Sequence, residues 1–143
     1  MTIYTDNRYP SYDLDFIAFA EFKKIKSVME GLGFEREKGR HFTHASSKFF
    51  VEFPGLAASV GDQPIDDYAE MKSKGGSVKL LTPTYCVMDR LAAFYHWNDL
   101  QSLEQAIAVA RGHPVQLERL QAWSKREGMM EKYREFLDRL KLQ

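Results

Sequence analysis

The spacing of apolar positions changes character at Thr82. Ahead of it, short apolar runs broken by glycines and polar turns predict strands at 13–18, 34–38, 41–44, 48–53, 58–60 and 77–81. One amphipathic helix interrupts them at 21–32, where Phe22, Ile25, Val28, Met29 and Leu32 recur at three and four while Lys23, Lys24 and Lys26 face away. Gly31 and Gly33 supply its stop. The stretch 55–76 is looser and acidic, with a short helix predicted at 68–72. Beyond Thr82 the period is helical throughout. Thr82 reads as an N-cap and Pro83 as a first-turn residue, where its missing N–H costs nothing. Helices are predicted at 84–97, 100–111, 115–126 and 129–140, punctuated by Asn98-Asp99, Gly112-His113-Pro114 and Gly128. Strands first and helices later predict an α+β protein: a mixed, partly antiparallel sheet with a helical C-terminal half. One domain is expected over 1–143, with a sheet-containing part at 1–81 and a helical part at 82–143.

Two carboxylates stand one residue apart at the head of the first apolar run, in Ser11-Tyr12-Asp13-Leu14-Asp15-Phe16. On a strand, Asp13 and Asp15 share one face and Leu14 and Phe16 the other. Same-face neighbours lie roughly 7 Å apart at Cα, close enough for both carboxylates to reach one hard cation. An edge strand with two solvated acids has the same pattern. A second run, Phe49-Phe50-Val51-Glu52-Phe53, carries a single acid in its middle. A carboxylate inside an apolar strand needs a partner. A metal shared with Asp13 and Asp15 would be one; a lysine such as Lys48 or Lys79 beside an open sheet face would be another.

Together these segments resemble the nucleotidyltransferase superfamily, in the branch of small bacterial proteins related to the toxin-like nucleotidyltransferases of toxin–antitoxin systems. There an acid–hydrophobic–acid pair follows a Ser or Thr, and a third acid comes from a later strand; Ser11, Asp13, Asp15 and Glu52 fit those positions. The resemblance implies that Asp13, Asp15 and Glu52 hold Mg²⁺ or Mn²⁺ and move a nucleotidyl group from a nucleoside triphosphate to a hydroxyl acceptor. It also implies that Glu52 takes the acceptor's proton, that Ser11 donates to a phosphate, and that Arg8 and Arg90 place charge near it. In the helical half, Asp89-Arg90-Leu91-Ala92 followed by Trp97-Asn98-Asp99 is similar to the same family, with Asn98 where an Arg is commoner. Ordinary helix packing, with Asp99 as an N-cap, is the simpler account of that stretch.

The family's opening strand and helix, with a Gly-Gly or Gly-Ser turn that grips the triphosphate, have no counterpart here, since no Gly precedes Gly31. Either the gene product starts upstream of Met1 or the element was lost. The alternative function follows from that gap: a catalytically silent relative that binds a partner through its helical tail or dimerises. A homodimer is expected, with the apolar Leu14 and Phe16 near the interface.

Composition narrows the partners. With 20 Lys and Arg against 20 Asp and Glu, net charge gives no reason to invoke nucleic acid. No apolar run approaches the roughly 20 residues of a membrane helix. The single cysteine, Cys86, excludes an internal disulfide and fits a reducing compartment, so the cytoplasm is expected. His41 and His44, three apart on a strand, are predicted to point to opposite faces rather than form a zinc pair.

Overall fold

A computed structural model describes residues 1–55 and 58–142. The chain divides into two compact units, one of residues 10–58 and one of residues 1–9 with those from 59 onward. The looser stretch expected at 55–76 includes Leu56 and Ala57, which lie outside the described residues.

In the first unit, β1 (Asp13–Asp15) is followed by α1 (Phe22–Gly31), β2 (Phe34–Arg36), β3 (His41–His44) and β4 (Ser47–Glu52). The strands form one sheet in the order β1-β4-β3-β2, with β1 parallel to β4 and the other pairs antiparallel. β1 is shorter than the 13–18 expected, although the amide of Phe16 still donates to the Glu52 carbonyl at 2.8 Å. Strand alternation sends Leu14, Phe42, Val51 and Phe53 to one face. There α1 lays Ile25 and Met29 against Phe42, Val51 and Phe53 to make a small core. Gly33 turns the chain from α1 into β2 with φ +85°; a Cβ on it would come within 2.9 Å of the His44 ring. His41 and His44 do point to opposite faces, because they stand an odd number of residues apart on one strand.

The second unit opens with a 3₁₀ turn at Ile3–Thr5 and continues through two hairpins, β5 (Ser59–Val60) with β6 (Gln63–Pro64) and β7 (Tyr68–Ser73) with β8 (Gly76–Leu81). The helix expected at 68–72 is a strand instead. Ser73 pairs with Gly76 across Lys74-Gly75, a tight turn that makes Tyr68–Ser73 the partner of Gly76–Leu81. Tertiary pairing overrides the helix preference of Ala69, Glu70, Met71 and Lys72. β8 is therefore half of a separate hairpin, not a further strand of the main sheet.

Four helices follow: α2 (Pro83–Trp97), α3 (Leu100–Gly112), α4 (Leu117–Arg126) and α5 (Met130–Lys141). Thr82 caps α2 by accepting from the Tyr85 amide at 3.3 Å. Asn98 ends it in the left-handed conformation, and Asp99 at once caps α3 through the Ser102 amide at 3.1 Å and hydroxyl at 2.7 Å. The core joins all four helices through Tyr85, Leu91, Phe94, Leu103, Trp123 and Phe136. A polar tie closes the hairpin end. The buried Tyr85 hydroxyl and Arg119 both reach Asp66 Oδ1 at 2.6 Å and hold that carboxyl below the usual carboxylate range. The protein is thus α+β with a helical C-terminal half. Among the described residues no helix is long and apolar enough to cross a membrane.

Candidate functional site

The acids sit on the sheet face that α1 leaves open. Asp13 pairs with Phe50, and Asp15 with Glu52, across the parallel β1–β4 ladder. Directly paired residues share a face, so Asp13, Asp15 and Glu52 all project to the same side. Asp15 and Glu52 stand one strand spacing apart, about 4.8 Å, and Asp13 is one step along the strand, roughly 7 Å away. The pairing is fixed by backbone bonds at both ends: Phe50 N–H donates to the Tyr12 carbonyl at 2.9 Å and Phe16 N–H to the Glu52 carbonyl at 2.8 Å. Asp13 and Asp15 are exposed, while Glu52 is half-buried.

The row continues one strand further than the spacing of acids suggested. His41 on β3 is the register partner of Glu52, which therefore lies between a carboxylate and an imidazole. Its ring stacks on Phe50 with centroids 4.6 Å apart, and its Nε2 is 3.7 Å from Glu37 Oε2. The three-residue spacing of His41 and His44 carries no sign of the place of His41 beside Glu52. The antiparallel pairing of 41–44 with 47–52 across the turn at Ala45-Ser46 was the signal, but the register shift between Phe42 and His44 blurs it.

The other expected site residues are placed differently. The Ser11 hydroxyl donates to Asp13 Oδ1, so it fixes the carboxylate, and donation to a phosphate would require giving up that bond. Arg8 and Arg90 belong to the helical unit, not to the unit that bears the acids. Arg90 is paired with Asp89 at 2.5 Å and reaches Gln105 at 3.4 Å. Asp99 is spent on its cap, and the Ser102 bonds hold its carboxyl below the usual range.

As a cation site the donor chemistry fits. Three carboxylates offer the hard oxygen ligands that Mg²⁺ and Mn²⁺ take, at separations their side chains can span. Among the described residues, the side chains as oriented form no cluster of three metal-ligating groups. Comparison of the chain with protein-family models, with curated proteins and with solved structures found no match.

Proposed function

We propose that the protein is a minimal nucleotidyltransferase in which Asp13, Asp15 and Glu52 form the reaction centre. The reaction moves a nucleotidyl group from a nucleoside triphosphate to a hydroxyl acceptor. The observation that carries this reading is the direct pairing of Asp15 with Glu52, which sets the third acid on the face of the first two. When bound, Mg²⁺ or Mn²⁺ would offset the charge on the phosphate oxygens. The chain's own groups do the rest. Ser11 keeps the Asp13 carboxylate in one orientation. In this reading Glu52 accepts the proton of the attacking hydroxyl as the new oxygen–phosphorus bond forms and the bond to the departing diphosphate breaks.

The test supplies each α-³²P-labelled nucleoside triphosphate and Mg²⁺ to the protein with a cell extract separated into protein, nucleic-acid and small-molecule fractions. Label should appear in one fraction and fall by about 10²–10⁴-fold with Glu52→Gln, the span usual for loss of a general base. Transfer that survives Glu52→Gln undiminished would remove Glu52 from the chemistry.

A second reading has its own observation. On the α1 side of the same unit, Ala18, Ala20, Ile25, Val28, Met29 and Phe53 line an apolar pocket of about 230 Å³. Leu14 and Phe16 are also exposed, at 43% and 38%. Apolar surface of this kind suits a silent relative that works by association, as a homodimer or on a partner. Wild-type protein that transfers no label with any nucleotide would favour this reading.

A further inference from the structure

We infer that the helical unit carries a second binding site, a pocket that takes the phosphate group of a small organic phosphate. The pocket has a volume of about 560 Å³ and is lined by Arg8, Arg111 and Arg139, with Glu104, Tyr9 and Ile107 among its other residues. That size falls in the range of roughly 300–1,000 Å³ typical of small-molecule sites.

The arginines reach it from three parts of the chain. Arg111 ends α3 and Arg139 lies in the last turn of α5. Arg8 is delivered by the N-terminal turn, which is tied down at several points. Tyr4 donates its hydroxyl to the Leu81 carbonyl at 2.5 Å and its carbonyl meets His113 Nε2 at 2.9 Å. Thr2 Oγ1 donates to the Tyr9 carbonyl at 3.0 Å. A segment this well anchored presents Arg8 at a fixed place.

Two of the guanidinium groups are partly committed. One terminal nitrogen of Arg111 donates to the carbonyls of Arg139 and Leu142 at 2.8 and 2.9 Å, and Arg139 pairs with Glu135 at 2.7 Å. Arg8 is exposed and lines the same pocket. Three guanidinium groups against the single carboxylate of Glu104 leave an excess of positive charge on the lining. A phosphate monoester, with a charge of about −1.5 to −2 at neutral pH, matches that excess better than a carboxylate. Guanidinium forks also suit its oxygens geometrically. Tyr9 and Ile107 give the organic part an apolar wall, which inorganic phosphate would leave unused.

The experiment is calorimetric titration of the full chain with phenyl phosphate and with inorganic phosphate. Low salt and a chelator keep divalent ions at the acid row out of the result. Phenyl phosphate should bind saturably and several-fold more tightly than inorganic phosphate. Arg8→Gln should weaken it by about tenfold or more, the scale of one lost charge-assisted bond. Glu104→Gln should tighten it, and Arg134→Gln, on α5 but outside the lining, should change nothing. Both Arg8 and Glu104 are exposed, so neither variant endangers the fold. Absence of saturable binding, no preference for phenyl phosphate, or equal weakening by Arg8→Gln and Arg134→Gln would overturn the site.

Discussion

Phe42→Ala should cost about 3–5 kcal/mol and remove most of the amide-exchange protection of β3 and β4. Phe42 is fully buried at the centre of the acid-bearing unit, with ring contacts to Phe22 at 6.2 Å and Phe53 at 5.9 Å. The core around it is small, comprising Ile25, Met29, Val51 and Phe53 besides Phe42 itself. A core on this scale supplies only about 3–5 kcal/mol in total, so the loss of one central ring is comparable with everything it provides. The same substitution would release the β4 register on which the acid row depends. Hydrogen exchange followed by mass spectrometry reads this directly. Retained protection through β3 and β4 would mean that the sheet is held by something other than this core.

A similar loss, about 3–5 kcal/mol, is expected for Trp123→Ala in the helical unit. Trp123 is 1% exposed and stacks on Tyr95 with centroids 5.3 Å apart. Its neighbours are held by a chain of polar contacts, from the Tyr95 hydroxyl to Ser124 Oγ at 2.8 Å and on to the Leu120 carbonyl at 2.7 Å. Trp123→Phe should be much milder. The indole N–H is buried with no partner among the described residues, so phenylalanine removes a polar group that contributes no hydrogen bond. Denaturant titration of the two variants gives both numbers. Equal destabilisation by Phe and Ala would show that packing of the ring is not what Trp123 contributes.

The helical half was readable because its signals are local. Thr82-Pro83 and Asn98-Asp99 carry capping chemistry in adjacent residues, and the helices begin and end there. Burial of Tyr95, Trp123, Tyr133 and Phe136 follows from helical spacing, with Trp97 the exception at 77% exposed. The two-residue period also put Asp13 and Asp15 on one face. What spacing could not supply was register. Glu52 joins the acids, and His41 joins Glu52, through pairings between strands that stand far apart in the chain or across an irregular hairpin. The mistaken helix at 68–72 has the same origin, since its residues suit a helix and only pairing across Lys74-Gly75 makes them a strand. Arg8 sits close to the acids in sequence, yet the anchoring of the N-terminal turn assigns it to the other unit.

In the proposed function Asp13, Asp15 and Glu52 act together on one divalent cation. Mn²⁺ titration followed by loss of the free-ion electron paramagnetic resonance signal tests it most directly. Wild-type protein should bind Mn²⁺ saturably, and Asp15→Asn and Glu52→Gln should each weaken binding by about tenfold or more, or 1.4 kcal/mol at least. Mn²⁺ that does not bind saturably, or that binds both variants as well as wild type, would contradict it.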